Sequence, residues 1–269
     1  MHWRQATSTA LAALVRRDRL GLVTDVDGTI SPIVSHPDAA QVTPGCREVL
    51  EALVPHLALV AVISGRAVAD VRERVGLPGL VYVGNHGLDW WADGAIHIAP
   101  EASAARPALE AALDDVRARQ VPGMLVEDKG ATLSIHYRQT ADPPAVAVNF
   151  TPLIEQIAAR HGLKLFQGRM VFELRPAVAV NKGSAFLHLI TQYRLDGALY
   201  LGDDTTDVDA LRAARRLRQD GTCDALGLGV ESDDMPAAVR ESADLLVSGV
   251  QDVESFLSWL LHARSASSS

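Results

Sequence analysis

Cysteine is scarce in this chain: 269 residues hold two, Cys46 and Cys223, in neither a CxxC pair nor a zinc-ligand spacing. That excludes a disulfide scaffold and a structural zinc module, and two buried free thiols are expected. Aromatic residues make up only 5% of the chain, and 25 Lys+Arg stand against 33 Asp+Glu, for a formal charge of −8. A nucleic-acid surface needs a basic stripe to displace counterions, so no nucleic-acid partner is expected, and any anionic ligand must be met by a local field. No apolar run approaches the roughly 18 to 20 residues of a membrane span. The apolar stretch Leu11 to Val15 is short, and Arg16, Arg17 and Arg19 follow where a leader would carry small residues. The expectation is a cytoplasmic monomer with no membrane partner.

What remains is an ordinary globular composition, 48% hydrophobic and 22% charged. Short apolar runs alternate with stretches of helical period, which predicts a parallel sheet covered by helices. Strands are predicted at Leu20 to Thr24, Leu57 to Ile63 and Leu80 to Val83. Between them Val49, Leu50, Leu53 and Val54 share one helical face, and Val68, Val71 and Val75 another. Leu88 to Ile98 reads as a hairpin turning at Asp93-Gly94. From about residue 100 to 177 the pattern becomes α-β-β-α-β-β. Leu109, Leu113 and Val116 line its first helix, and strand-like runs fall at Met124 to Glu127, Thr132 to Tyr137, Leu163 to Phe166 and Met170 to Leu174. Its second helix is expected to break or restart at Pro152, with Thr151 as cap. Alternation then resumes with a helix through Phe186, Leu189, Ile190 and Tyr193, strands at Ala198 to Leu201, Leu226 to Val230 and Ala243 to Val247, and a last helix near Val253 to Leu261. The predicted organisation is an α/β core at 1–99 and 178–262, a smaller α/β insert at 100–177, and a frayed tail at 263–269.

The sharpest chemical signal is Asp25-Val26-Asp27-Gly28-Thr29, directly after the first strand. Ligands of open parallel sheets bind beyond the strands' carboxyl ends, so both carboxylates project into the expected site. Asp25 can serve there as nucleophile and Asp27 as general acid and base, while Gly28 and Thr29 let the backbone approach phosphate oxygens. An Asp-Gly turn after a strand is the plainer use of the same residues. A second acidic cluster, Gly202-Asp203-Asp204-Thr205-Thr206-Asp207, also follows an apolar strand. Carboxylates from two strand ends suit Mg²⁺, although Asp204 can equally cap the next helix. Ser64-Gly65-Arg66 offers hydroxyl, amide and guanidinium donors to an anion, and Lys182 opens a helix whose dipole favours one.

The ordered set, DxDGT, SGR, a lysine at a helix start and GDDxxD, resembles the haloacid dehalogenase-type phosphatases. That resemblance implies a Rossmann-like core, Asp25 as a nucleophile forming an aspartyl-phosphate, Asp27 as acid/base and Ser64 and Lys182 as phosphate clamps. It further implies Mg²⁺ held by Asp25, the Asp27 carbonyl and Asp203, with Asp204 and Asp207 supporting the metal shell and Lys182. Asp207 also joins Gly28, Thr29, Gly65, Arg66 and His86 among the expected substrate contacts. Gly-x-His-Gly at 84–87, Glu-Asp-Lys-Gly at 127–130, His-Tyr-Arg at 136–138, Glu-x-Arg-Pro at 173–176 and Asn-Lys-Gly at 181–183 narrow it to the trehalose-6-phosphate phosphatases. In that family a C2B-type α/β cap closes over the core, and the matching Glu127, Lys129, Arg138 and Glu173 would hold the distal sugar. From the residues alone these charges also suit a solvated sheet face. The chain departs from the family's Thr-Asp-Glu-Asp-Ala-Phe with Thr206-Asp207-Val208-Asp209-Ala210-Leu211, and Arg215 to Ala225 reads as a local extension. Phosphatases of sucrose phosphate or mannosyl-3-phosphoglycerate, a phosphomutase, and a catalytically silent regulatory domain are the competing readings.

Overall fold

The computed structural model describes residues 1–34, 40–168 and 170–267. Its contacts separate two compact units. One runs through residue 96 and resumes at Val180, and the other is His97–Ala179.

In the first unit, α1 (Ala10–Leu14) leads to β1 (Leu20–Thr24), which is followed by α2 (Pro44–Leu53), β2 (Leu59–Ile63), α3 (Val68–Val75) and β3 (Val81–Gly84). β4 (Asp89–Ala92) and β5 (Ala95–Ile98) are joined by Asp93-Gly94, whose φ values of +52° and +78° are the left-handed pair that a type I′ turn requires. The second unit contributes α4 (Pro100–Ala104), α5 (Arg106–Arg117), β6 (Leu125–Asp128), β7 (Leu133–His136), α6 (Pro143–Arg160), β8 (Leu163–Gly168) and β9 (Val171–Pro176). The first unit then resumes with α7 (Lys182–Gln192), β10 (Gly197–Gly202), α8 (Val208–Gln219), β11 (Asp224–Val230), α9 (Ala237–Ser242), β12 (Leu245–Val247) and α10 (Val250–Ser267).

The large sheet has the order β12-β11-β10-β1-β2-β3-β4-β5, parallel from β12 to β3, with β4 antiparallel to β3. β1, β2 and β10 are buried along their whole length, as strands covered on both faces should be. Side chains alternate between the two faces. Leu20, Leu22, Val60, Val62, Leu199 and Leu201 pack with apolar residues of α1, α2, α3 and α10, whereas Val23, Ala61, Ile63, Ala198 and Tyr200 pack with α7, α8 and α9. The result is the three-layered α/β core that the alternation predicts. The second unit is a four-stranded antiparallel sheet, β6-β7-β9-β8. Leu133, Ile135, Phe172 and Leu174 on one of its faces pack against Leu109, Leu113 and Val116 of α5 and Ile154 and Ile157 of α6.

Several local expectations are corrected. α6 runs unbroken through Pro152, and Thr151 donates its hydroxyl to the Ala147 carbonyl at 2.7 Å instead of capping. Proline removes one bond, to the carbonyl of residue 148, and Val148 lies on the solvent side of the helix, where water can replace that bond. The N-cap is Asp142, which accepts from Ala145 N at 2.9 Å. The segment read as a local extension, Arg215 to Ala225, comprises the end of α8, a turn and the start of β11, and Arg218 Nη1 donates to Ala225 O at 2.6 Å. The tail expected to fray from Ala263 stays helical to Ser267, with Arg264 donating to the carbonyls of His56, Val15 and Arg17. Residues 268–269 of that predicted tail lie outside the described residues. Both cysteines are buried and free.

Candidate active site

The site forms at the carboxyl ends of three neighbouring strands. Thr24 lies level with Leu201 on one side and with Val62 on the other, so Asp25, Asp203 and Ser64 emerge along one edge of the sheet. The chain moves from β1 outward through β2 and β3 and returns on the far side of β1 through β10 and β11. This edge is therefore a topological switch point. Gly28 has φ +85°, and a Cβ there would run into the Asp203 carboxylate, so glycine alone lets the loop after β1 lie against the acidic group after β10.

Asp25, Asp203 and Asp207 are buried, and one carboxylate oxygen from each lies within 4.8 Å of the others. The capping box of Asn181 with Ser184 fixes the start of α7 and thereby the root of Lys182. Lys182 Nζ sits 2.8 Å from Asp25 Oδ1 and donates to Asp207 Oδ1 at 2.7 Å. Asp207 also accepts from Tyr200 OH at 2.6 Å and from Asp204 N at 3.0 Å.

Burial pushes the Asp25 carboxyl up to about 7, against the pull of Lys182 and with Asp207 adding to the rise. Asp203 is driven higher, to about 9, by burial first and then by Asp25 and Asp207. Burial alone would lower Lys182, but the Asp207 and Asp25 carboxylates hold it above its ordinary range. Three carboxylates against one ammonium leave the cluster short of two positive charges, and Asp203 Oδ1 is buried with no hydrogen-bond partner. An uncompensated buried carboxylate costs several kcal/mol. An all-oxygen donor set, a deficit of two charges and an orphaned oxygen together fit a divalent cation.

Around this cluster, Asp27 accepts both Arg66 Nε, at 2.6 Å, and Arg66 Nη2, at 2.9 Å. Ser64 Oγ accepts from Arg66 N at 3.2 Å, and the Ser64 carbonyl accepts from His86 N at 2.9 Å. A Cβ on Gly65 would sit 2.7 Å from the buried His86 imidazole. Thr29 is buried, its hydroxyl without a partner.

Three placements differ from the sequence reading. Asp207, expected both at the substrate and as a support for Lys182, is completely buried and takes the second role, accepting from Lys182, Tyr200 and the Asp204 amide. Asp204 stays outside the carboxylate cluster and caps the turn Thr205–Asp207. Arg66, expected at phosphate, grips Asp27 and Asp70. Sequence reasoning missed Tyr200, whose signal was its place two residues before Gly202 on a strand leading into the acidic cluster.

Within the second unit, Glu127, Ser134 and Glu173 occupy one cross-strand row of β6, β7 and β9. Lys129 Nζ is 3.8 Å from Glu173 Oε1, and Arg175 Nη2 donates to Glu173 Oε2 at 2.6 Å. Glu127 is exposed, 3.4 Å from His136 Nε2, and Arg138 follows β7, half-buried.

A family model described as trehalose-phosphatase matches residues 23–242, the span that contains every site residue above. The chain belongs to the trehalose-phosphatase family. A Mycobacterium tuberculosis protein named trehalose-phosphate phosphatase is 37% identical over 244 residues, which is 85% of this chain and 61% of that one. The chain thus spans about three fifths of the length of the curated relatives it matches. The C-terminal domain of C. albicans trehalose-6-phosphate phosphatase superposes with a TM-score of 0.77 at 22% identity, covering 93% of this chain and 96% of that one. A haloacid dehalogenase-like hydrolase from Bacteroides thetaiotaomicron gives 0.64 at 13% identity, covering 90% and 100%. These two likenesses show the haloacid dehalogenase-like fold. At the departure from the trehalose-phosphatase pattern, the Val208 and Leu211 side chains are buried in the apolar layer between α8 and the sheet.

Proposed function

We propose that this chain is a Mg²⁺-dependent phosphatase that hydrolyses trehalose 6-phosphate to trehalose and inorganic phosphate. The observation that carries the reading is the buried meeting of Asp25, Lys182 and Asp203 at adjacent strand ends in a chain of the trehalose-phosphatase family. Uncatalysed phosphate-monoester hydrolysis is among the slowest reactions known, with enzymatic accelerations up to ~10²¹, so several groups must act on one phosphoryl group at once.

In this reading an oxygen of Asp25 attacks phosphorus in line, and the bond from phosphorus to the sugar oxygen breaks. Asp27 gives its proton to the departing alkoxide. Asp27, now ionised, takes a proton from water as that water attacks the aspartyl-phosphate, releasing phosphate and restoring Asp25. Lys182, Ser64 and the backbone around Gly28 and Thr29 hold the phosphoryl oxygens, and the orphaned Thr29 hydroxyl is one such donor. Asp25, Asp203 and the Asp27 carbonyl would hold the Mg²⁺, which supplies positive charge to offset that on the transferring group. Asp207 and Tyr200 keep Lys182 in place. Glu127, Lys129, Arg138 and Glu173 supply hydrogen bonds for sugar hydroxyls. A monomer acting in the cytoplasm on a small solute, with no nucleic-acid or membrane partner, completes the reading; no described helix is long and apolar enough to cross a membrane.

Phosphate release from a panel of trehalose, sucrose and glucose phosphates and mannosyl-3-phosphoglycerate, with Mg²⁺ and with a chelator, tests this. Trehalose 6-phosphate should give the highest kcat/KM, and only with the cation. Preference for another ester overturns the substrate; release unaffected by chelation overturns the metal.

A further inference from the structure

The reaction reading leaves one strong feature unused, the chain of alternating charges that begins at Asp27. Asp27 does not belong to α3, yet it is tied to that helix's lead-in by a two-pronged grip, Arg66 Nε to Oδ2 at 2.6 Å and Nη2 to Oδ1 at 2.9 Å. A planar guanidinium that bonds both oxygens fixes the plane of the carboxylate as well as its position, which a lysine ammonium does not. The grip is itself held. Arg66 Nη1 donates to Asp70 Oδ2 at 2.9 Å, Arg74 Nε donates to Asp70 Oδ1 at 2.7 Å, and Arg74 Nη1 donates to the Ala40 carbonyl at 3.0 Å. The backbone of Arg66 is anchored as well, its N–H to Ser64 Oγ at 3.2 Å and its carbonyl to Asn85 N at 2.7 Å. The link from Asp70 to Arg74 is an ordinary i,i+4 pair within α3, and that to Arg66 reaches back to the residue before the helix cap. The link to Asp27 crosses from the segment after β2 to the loop after β1.

We propose that Arg66, braced by Asp70 and Arg74, is the positioning residue that holds Asp27 in place for proton transfer to the ester oxygen and then from the attacking water. The inference rests on the phosphatase reading and deepens it. Three of the guanidinium's five N–H groups go to carboxylates, two of them to Asp27, so Asp27 is the partner through which Arg66 is placed to act. An acid that protonates the leaving group matters most when that group is a poor one. Loss of Arg66 should therefore be felt on a sugar ester, whose alkoxide is strongly basic, far more than on p-nitrophenyl phosphate.

The test is steady-state kinetics of Arg66→Gln, Arg66→Lys, Asp70→Asn and Asp27→Asn, alone and combined, with saturating Mg²⁺ and with folding followed by circular dichroism. Arg66→Gln should lower kcat on trehalose 6-phosphate about 10²-fold, the low end of what acid–base groups contribute, with KM within about threefold. The loss on p-nitrophenyl phosphate should be smaller, since only the attack of water on the aspartyl-phosphate, common to both esters, then calls on Asp27. Arg66→Lys should recover part of the loss, and Asp70→Asn, which leaves the grip in place but loosens its brace, should show the same leaving-group signature at smaller size. The Arg66→Gln, Asp27→Asn double variant should be no slower than Asp27→Asn. Equal losses on the two esters with a raised KM would place Arg66 on the phosphate itself and overturn the inference, as would additive losses in the double variant. If the unaltered chain released phosphate from neither ester, the phosphatase reading would fall, and this inference with it. Should Arg66→Gln fail to fold, the Asp70→Asn comparison of the two esters decides the matter alone.

Discussion

The two polar regions of the molecule are built by different rules. In the first unit, Asp25, Asp203 and Lys182 sit where parallel strands end and a helix begins, so the backbone dictates their convergence. In the second, Glu127 and Glu173 share a row only because antiparallel strands pair in one register, and a slip of one residue would turn each to the opposite face. The first region is buried and short of positive charge; in the second, the buried Glu173 is compensated by Arg175 and Lys129, beside the exposed Glu127. In the proposed function, chemistry rests on the geometry of strand ends and discrimination on the register of one sheet face.

The largest effect should come from Asp25→Asn, because an amide oxygen is a poor nucleophile. We expect kcat to drop ~10⁴-fold or more with the fold unchanged, measured as phosphate release under saturating Mg²⁺. No single change in the second unit should match it, and if Glu127→Ala did, the division of labour would be wrong.

Next is the cation. Mg²⁺ should raise the melting temperature of the unaltered chain, by ~2.7 kcal/mol of stability at a hundredfold excess over its Kd. Asp203→Asn should abolish that shift while stabilising the metal-free protein, since it removes a buried carboxylate with an unpartnered oxygen. Scanning calorimetry of both proteins with and without Mg²⁺ reads the two outcomes together. A cation-dependent shift that survives in Asp203→Asn would separate the metal from this cluster.

Within the second unit, Glu127→Ala and Lys129→Ala should each cost about 10- to 100-fold in kcat/KM for trehalose 6-phosphate, the range of one hydrogen bond to a charged group, and little for p-nitrophenyl phosphate. Glu173→Ala should in addition lower the melting temperature, because it removes the carboxylate that accepts from the buried Arg175. Equal destabilisation by Glu127→Ala would erase the distinction between exposed and compensated charges.

The smallest effect is common to both units. At Asp70 burial works upward, but Arg74 and Arg66 hold the carboxyl below its ordinary value; at Asp128 the bonds from Arg106 do the same. A carboxylate depressed on folding binds fewer protons than in the unfolded chain. Its stabilisation is thus present above pH ~4 and is lost as pH falls through the folded value. Discounted for solvent screening, each is worth ~0.5 kcal/mol, and Asp70→Asn and Asp128→Asn should each flatten the acid limb of a urea-denaturation series by that amount.

The sequence made the catalytic side legible because each group adjoins a strand or helix end that an apolar run announces, as Leu20 to Thr24 announces Asp25. Partnerships were not legible. Arg66 has the residue type of a phosphate ligand, and nothing in its spacing tells that Asp27 takes it; the pairing of Asp207 with Lys182 came from the family resemblance and not from spacing. Tyr200 was hidden for the same reason: a tyrosine in a core strand looks like packing until its hydroxyl is seen on Asp207. Pro152 misled because a proline's cost depends on whether water can reach the freed carbonyl, which no pattern along the chain encodes.

The absent side chain at position 28 makes two distant stretches of the chain answerable to each other. Any larger residue there displaces Asp203, so a library randomised at that codon should sort by affinity for the ion as well as by the backbone strain that a φ of +85° imposes. Compensating changes, if selected, should arise in the loop after β10.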